Sequence, residues 1–323
     1  MQGIRRALLT ALIALCIFVP TAVVVLKRQD ILDWWKLRGY VPPAAISALA
    51  QDTNMSDKGK RIFFVNTPAL LEKTPFHDKC SQSETIIVLG CYIGGSGIYV
   101  LDVTDERLAG VEQVTAAHEM LHAAYDRLSE AEKSELRSEL RSFYESSNDK
   151  VIKDKIELYE KNQADITNEL HSILGTEVMD LSPALEAYYA RYFTDRRKVV
   201  AYSQTYQAAF SERQERYQQG IKDLNALITE IKTKNAALEA EGKAITEEQQ
   251  RLSALRDNNQ IEEYNAGVDP YNARIQSYNA QIRTYNALVA RAKAKEAEVK
   301  QAADEAQQLY RAIDSSISTR DQL

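Results

Sequence analysis

The sequence predicts an α+β domain that lies between an N-terminal transmembrane helix and a C-terminal α-helical coiled-coil hairpin. Three observations lead to this fold class. An uncharged apolar run covers residues 7–26, short apolar segments with a glycine-rich turn cover residues 60–103, and a heptad-patterned region poor in Gly and Pro follows residue 202. The expected parts, in order, are a signal anchor at 1–28, a juxtamembrane segment at 29–59, a globular domain at 60–200 and a coiled-coil arm at 201–323.

The charge of the chain excludes one class of partner. The 323 residues carry a net charge of −6, and acidic and basic residues are mixed along the chain. Nucleic-acid-binding domains concentrate Lys and Arg in a patch or stripe. We therefore expect no nucleic-acid partner.

The apolar run at residues 7–26 matches the roughly 20 residues that cross a bilayer core. A cleaved signal peptide needs a shorter apolar core and a small-x-small site, and the large Leu15 beside Cys16 argues against a lipoprotein signal. An uncleaved anchor fits best. Basic residues flank the run on both sides, so the positive-inside rule does not decide the orientation, but N-terminal anchors usually translocate a long downstream domain. The expected location is the cell membrane, single-pass, with the downstream domain extracytoplasmic.

Two cysteines are available to the globular domain. Cys80 and Cys91 flank an apolar run at residues 85–89. A disulfide that closes this loop is expected outside the cytoplasm. The alternative is a pair of reduced side chains packed near each other. Their spacing is too long for a C-x₂₋₄-C zinc pair.

The globular domain begins with strand patterns and continues as helices. Apolar runs at residues 62–66, 85–89 and 98–103 predict short strands, and a glycine-rich turn at 94–97 predicts a hairpin. A helix is expected from residue 105 to about residue 128. Ser129 with Glu132 forms a capping box for the next helix, and Ser182 before Pro183 begins a later one.

The predicted helix at 105–128 carries the pattern His118-Glu119-Met120-Leu121-His122. Helix positions i and i+4 share a face, so both imidazoles can reach one metal ion. Glu119 lies about 100° round the helix, where it can hold a water molecule and act as its general base. Bound Zn²⁺ lowers the pKa of water to roughly 7, so the pattern predicts zinc-dependent hydrolysis. The alternative interpretation is a chance match on an amphipathic helix.

A small sheet followed by this helix and further helices resembles the zincin metallopeptidases, in particular the gluzincin branch, over about residues 60–200. The resemblance implies a zincin-like catalytic domain, a Zn²⁺ cofactor and a peptide or protein substrate. It also implies an edge strand, here residues 98–103, that binds the substrate in extended form. A further implication is a third zinc ligand, supplied by a Glu on a later helix.

The pair Asn168-Glu169 is similar to the Asn-Glu pair of the thermolysin type, although Ile173 stands where that pattern has Asp. Glu169 is therefore the expected third ligand. His171 is the alternative, and because the two residues lie about 200° apart on a helix, they cannot both face one metal ion. Glu177 is a further candidate if the helix continues through Gly175.

Peptide hydrolysis also needs a group that stabilises negative charge on the substrate oxygen. The candidates are His171, Tyr189 and Arg191, with Tyr188 and Tyr192 beside them. The alternative role for these aromatic residues is to pack their helix onto the domain.

Heptad spacing organises the C-terminal third. Apolar residues recur in steps of three and four over residues 210–252, with Asn235 at one seam position. A second heptad series consists of Tyr264, Tyr271, Tyr278 and Tyr285. Pro270 is expected to break or to begin a helix, with Asp269 as its cap. The simplest arrangement is an antiparallel hairpin, the alternative is a parallel dimer, and the coiled coil is expected to bind a protein partner or to self-associate.

These features predict a membrane-anchored zinc metallopeptidase, an endopeptidase rather than an exopeptidase, in which Glu119 is the general base. The alternative is a non-enzymatic, membrane-anchored coiled-coil scaffold with a structural or degenerate metal site. An open three-ligand site favours the enzyme, whereas a fourth protein ligand favours the scaffold.

Overall fold

A computed structural model of the chain describes residues 27–80, 88–148, 150–161 and 165–314. These residues form two compact units. The first comprises the described residues up to Ala208 together with those from Arg311 onward, and the second runs from Ala209 to Tyr310. All residues predicted to form the metal site lie in the first unit.

The first unit consists mainly of helices around a small sheet. Before the sheet come α1 (Arg28–Leu37), α2 (Ala44–Asp52) and α3 (Asp57–Val65). The sheet region contains β1 (Ala69–Leu71), α4 (Lys73–Cys80), β2 (Gly90–Ile93) and β3 (Gly97–Leu101). A 3₁₀ turn at Glu106–Leu108 leads to the motif helix α5 (Val111–Asp126), followed by α6 (Glu130–Ser146), α7 (Lys150–Lys161), α8 (Ile166–Glu177) and α9 (Pro183–Tyr189). Ser129 and Ser182 cap α6 and α9, as predicted.

The predicted α+β fold class is wrong, because 78% of the described residues are helical and their sheet has only three strands. Residues 62–66, predicted as a strand, form the last turn of α3 and its C-cap. Ser56 begins this helix by accepting a hydrogen bond from the N–H of Gly59, and Ile62 and Phe63 are buried. A short apolar run fits a buried strand and a buried helix segment equally well, so the pattern does not separate them.

The predicted transmembrane helix, and the cell-membrane location derived from it, are also corrected. Among the helices in the described part of the chain, none is long and apolar enough to cross a membrane. Residues 7–26, on which that prediction rests, lie outside the described residues. Residues 29–59 cover nearly all of α1, all of α2 and the start of α3, and α2 contributes the buried side chains Ile46, Leu49 and Ala50 to the core.

The sheet has the strand order β1-β3-β2, with β1 parallel and β2 antiparallel to β3. The expectation that residues 98–103 form an edge strand is therefore wrong, because β3 is central. The sequence does not reveal β1, whose three residues are too few to show a strand pattern, and pairing with β1 places β3 in the centre. β2 is an edge strand and lies against α5. The predicted strand at 85–89 falls largely outside the described residues.

A disulfide joins Cys80, the last residue of α4, to Cys91 in β2, with the Cα atoms 5.8 Å apart. The sequence separation is 11, and a loop of that size limits the unfolded chain enough to stabilise the fold by about 3 kcal/mol. We expect Cys80→Ser with Cys91→Ser to lower the free energy of unfolding in urea by about that amount. Mass spectrometry without reduction should find the two cysteine peptides linked. Free thiols at both positions would contradict the bond.

Helix α5 lies at the centre of the first unit, in contact with α8, β2, β3, α2 and α3. Close packing against α8 depends on Gly175, because a Cβ atom there would collide with Cδ1 of Leu121. The helix continues through Gly175, and all of residues 170–176 are buried. This packing fixes α8 against the helix that carries the two histidines of the motif.

The second unit is an antiparallel hairpin of two long helices, as predicted. Helix α10 (Arg197–Asp257) enters it from the first unit, and α11 (Ile261–Ile313) returns. Ion pairs connect Arg216 to Glu305, Asp223 to Lys295 and Glu241 to Arg274. Residue numbers rise along one helix as they fall along its partner, so the two helices run in opposite directions.

The turn of the hairpin lies between α10 and α11, where Asn259 adopts a left-handed φ of 61°. The prediction that Pro270 breaks or begins a helix is wrong, because Pro270 lies inside α11. A proline removes one helical hydrogen bond, but α11 stays paired with α10 on both sides of it. Gly267 contacts Leu252 before the proline, and Arg274 pairs with Glu241 after it.

A designed disulfide tests the hairpin. A Cβ atom at Gly220 would lie 3.9 Å from Cβ of Val299, within the range of about 3.5–4.5 Å seen in disulfides. Mild oxidation of the variant Gly220→Cys with Val299→Cys should link the two positions within one chain, as shown by peptide mapping. The control Gly220→Cys with Tyr278→Cys should not link, because Tyr278 faces Gly242. Cross-links found only between chains would support the parallel dimer.

Candidate metal centre

The two histidines of the motif project from the same face of α5, as their spacing predicts. Their ring centroids are 4.7 Å apart, and only 15% of the His118 side chain and 12% of the His122 side chain are exposed. His118, Glu119 and His122 each offer one ligand atom, and these atoms lie within 4.8 Å of one another. The three motif side chains are therefore close enough together in the fold to hold a metal ion.

Glu169 faces both histidines from α8. Its Oε2 lies 3.7 Å from Nε2 of His118, and its Oε1 lies 3.7 Å from Nε2 of His122. Zinc–ligand bonds are about 2.0–2.2 Å long, so two nitrogen or oxygen ligands of a tetrahedral zinc ion lie about 3.4 Å apart. The observed separations are close to that value. The donor set and its spacing therefore fit a zinc ion.

Two carboxylates lie beside the histidines, and their positions differ. Glu119 is buried against β2, where a Cβ atom at Gly90 would lie 2.9 Å from Cγ of Glu119. The backbone N–H of Tyr92 also donates a hydrogen bond to Glu119. Glu119 completes the compact group of ligand atoms around the histidines, but Glu169 contacts Nε2 of both rings. Both carboxylates therefore lie close enough to the histidines to share an ion with them.

His122 is oriented by side chains of α8. Its Nδ1 lies 2.9 Å from Oδ1 of Asn168 and 3.3 Å from Oγ of Ser172. The amide oxygen only accepts hydrogen bonds, so we assign the hydrogen to Nδ1, which leaves the lone pair of Nε2 for a ligand. Histidines that bind metals usually have such a partner on the other ring nitrogen. The Asn168-Glu169 pair therefore places one side chain at each nitrogen of His122.

Burial and charge act in opposite directions on these groups. Burial raises the pKa of Glu169, but the hydrogen bond with His118 and the charges of the two histidines outweigh it, so the pKa is lowered. Burial lowers the pKa of His118, but the neighbouring Glu169 and Glu119 outweigh it, so the pKa is raised. At Glu119 burial dominates and raises the pKa. An ionised Glu169 suits a cation, and a raised pKa suits a residue that takes up protons.

His171, the alternative ligand, lies among tyrosines. Its ring stacks on Tyr189 with centroids 5.5 Å apart, and its Nε2 lies 3.1 Å from the hydroxyl of Tyr188. The side chain is fully buried, and burial lowers its pKa well below the usual value. Among the described residues, its Nδ1 has no hydrogen-bond partner. His171 and Glu169 therefore occupy different surroundings, as their positions on the helix predict.

The predicted stabilising residues take part in packing. Tyr189 is fully buried, and its hydroxyl donates a hydrogen bond of 2.7 Å to the backbone oxygen of His171. Arg191 lies over the rings of Tyr188 and Tyr192. These contacts correspond to the alternative in which the aromatic residues hold their segment on the domain.

Glu177, the further candidate ligand, is engaged in a polar network at the end of α8. It accepts hydrogen bonds from Lys155 of α7 and from Gln207 of α10. Its charge nevertheless acts on the metal-site residue His118. This network connects α7 to the same helix that supplies Glu169.

Sequence reasoning missed two residues of this region. In the sequence Asn168 is only the neighbour of Glu169, and its contact with His122 follows from the packing of α8 on α5. No motif or spacing in the sequence marks Tyr159 of α7. In the structure, burial raises the pKa of its phenol, and the negative charges of Glu169, Glu177 and Glu119 raise it further. The sequence does not predict the surroundings of these two residues, because they depend on contacts between separate helices.

Comparison of the chain with protein-family models, with curated proteins and with solved structures found no match. The assignment of a metal centre therefore rests on the arrangement of His118, His122, Glu119 and Glu169 in this chain.

Proposed function

We propose that this protein is a zinc metallopeptidase of the HExxH type, in which His118, His122 and Glu169 hold the ion and Glu119 is the general base. The proposal is carried by one observation, the contact of the Glu169 carboxylate with Nε2 of both histidines. A chance match to the motif would not require a carboxylate from another helix at that position. The contact between Asn168 and Nδ1 of His122 also supports a metal site, because metal-binding histidines usually have such a partner on the other ring nitrogen.

Each side chain has a separate task in this proposal. A bound zinc ion would acidify water and polarise a peptide carbonyl group. Glu119 accepts a proton from the attacking water and delivers it to the leaving amine. Its burial against β2 supports this role, because a raised pKa brings the carboxyl closer to the pH at which it must both gain and lose a proton. Asn168 keeps His122 in one tautomer and orientation.

A peptide substrate is supported by the position of β2. This edge strand runs beside Glu119, with Gly90 in close contact with the glutamate side chain. An edge strand can pair with an extended peptide through main-chain hydrogen bonds. Pairing of this kind requires substrate residues on both sides of the cleaved bond, which favours an endopeptidase over an exopeptidase.

Metal analysis combined with a cleavage assay on the same sample of purified protein tests the proposal. We expect about one zinc per chain, cleavage of unfolded protein substrates, loss of cleavage with a chelator and recovery on addition of Zn²⁺. Absence of bound zinc would contradict the metal centre. One tightly bound zinc with a fourth protein ligand and no cleavage would instead favour a non-enzymatic protein with a structural metal site.

A further inference from the structure

Gly90 lies where the edge strand β2 meets the motif helix α5. A Cβ atom at this position would overlap Cγ2 of Thr115, and it would lie 2.9 Å from Cγ and 3.0 Å from Oε1 of Glu119. Carbon atoms of neighbouring side chains pack at about 3.5–4.0 Å, so an alanine would fit only if one of these groups moved. The absence of a side chain at residue 90 therefore sets how closely the strand approaches the proposed general base.

The two side chains opposite Gly90 differ in how easily they can move. Both Thr115 and Glu119 are buried. The hydroxyl of Thr115 donates a hydrogen bond of 2.8 Å to the backbone oxygen of Val111, and its branched Cβ atom restricts the rotamers that it can adopt in a helix. Glu119 has three rotatable side-chain bonds and no such branch. A methyl group at residue 90 would therefore displace the Glu119 side chain.

The strand also supplies a backbone hydrogen bond to Glu119. The N–H of Leu101 in β3 donates to the backbone oxygen of Leu89, just before β2. Because hydrogen-bonded pairs alternate along an antiparallel ladder, the N–H of Tyr92 points away from β3. Such groups on an edge strand are left without a partner in the sheet. Here the N–H of Tyr92 donates to the Glu119 side chain, so the close approach of β2 gives the carboxylate a fixed donor.

We propose that Gly90 is a positioning residue for the general base. Because it has no side chain, β2 lies close enough to α5 for the N–H of Tyr92 to hold one oxygen of the Glu119 carboxylate, and the other oxygen is left for the proton of the attacking water. The inference rests on the proposed function and deepens it by naming the groups that keep Glu119 in place.

The test uses Gly90→Ala combined with Thr115→Ser, which removes Cγ2 and keeps the hydroxyl group. In this double variant the new methyl group still meets Glu119. We expect kcat to fall by about 10²-fold, the loss that can follow a displacement of about 1 Å, while KM and zinc content stay nearly unchanged.

Two single variants are the controls. Thr115→Ser alone leaves Gly90 in place. Gly94→Ala changes a glycine of the same hairpin, where an added Cβ atom would have no contact closer than 3.7 Å. Each should change kcat by less than about 3-fold, because neither places an atom against Glu119.

The Glu119→Gln background separates positioning from packing. If Gly90 acts through Glu119, the double change should lower the residual kcat of Glu119→Gln by less than about 3-fold, because the effects of residues that act as a unit are not additive. A further loss of about 10²-fold in that background would show that Gly90 serves only the packing of the strand, and it would overturn the inference.

A second readout needs neither zinc nor activity. Hydrogen exchange of the Tyr92 amide can be followed by NMR on the metal-free protein. Exchange should be slow in the wild type and in Gly94→Ala, because Glu119 accepts the hydrogen bond of this amide. It should become at least about 10-fold faster in the double variant and in Glu119→Ala, where that hydrogen bond is broken.

The remaining outcomes also decide the question. Equal exchange rates in the wild type and the double variant, or equal values of kcat, would overturn the role of Gly90 and leave the proposed function standing. Loss of zinc from the double variant would show that α5 itself is displaced, and it would also overturn the inference. A wild-type protein that binds no zinc would overturn the proposed function, and the inference would fail with it.

Discussion

Glu119→Gln is expected to keep about one zinc per chain and to lose peptide hydrolysis by about 10²–10⁴-fold, the usual contribution of a general base. The amide has nearly the shape of the carboxylate, so it can occupy the same space against β2, but it cannot accept the proton of water. Zinc retention is expected because the Nε2 atoms of His118 and His122 each lie 3.7 Å from a carboxylate oxygen of Glu169, the proposed third ligand. Zinc content and kcat/KM measured on one sample test both halves of this expectation.

His118→Ala and His122→Ala serve as the contrasting variants. Each removes a nitrogen ligand, so each should lose zinc as well as hydrolysis. Wild-type peptidase activity in Glu119→Gln would show that another group moves the proton. Loss of zinc in Glu119→Gln would show that Glu119 is a ligand, and the roles of the two carboxylates would have to be exchanged.

Glu169→Ala is expected to weaken zinc binding by well over 100-fold, more than is commonly lost when an outer partner of a ligand is removed. The reason is that its two oxygen atoms face the two histidine nitrogens at 3.7 Å. Competition with a fluorescent zinc chelator measures the change. Asn168→Ala, which removes the nearer of the two partners of His122 Nδ1, should weaken zinc binding by about 10–100-fold.

His171→Ala gives the matched comparison on the same helix. This change leaves a cavity among Tyr125, Tyr188 and Tyr189, so it should lower the free energy of unfolding by about 2–4 kcal/mol. The zinc affinity of the folded protein should stay close to that of the wild type. If His171→Ala instead loses zinc while Glu169→Ala retains it, the third ligand has been misassigned.

The parts of the structure that depend on local sequence could be predicted. The common face of His118 and His122 follows from helix geometry alone. The cap at Ser129 requires only Glu132 three positions later, and both of its hydrogen bonds are present. The hairpin follows from two heptad series on one chain, because each apolar seam is buried best by the other.

The parts that depend on contacts between distant segments could not be predicted. The apolar run at 62–66 has the composition of a strand, and its packing beside α5 decides that it is helical. The central position of β3 depends on β1, which is too short to recognise. Asn168 lies at Nδ1 of His122 only because α8 packs on α5, and no spacing in the sequence relates these two residues.

The metal itself provides the most direct test of the central claim, that His118, His122 and Glu169 hold one zinc ion and leave a coordination position open. An anomalous difference map from crystals of the zinc-loaded protein, recorded at the zinc absorption edge, locates the ion. We predict one peak within about 2.0–2.2 Å of Nε2 of His118, Nε2 of His122 and a carboxylate oxygen of Glu169, with no fourth protein ligand. A peak bound by Glu119 in place of Glu169, closed by a fourth side chain, or located elsewhere would contradict the claim.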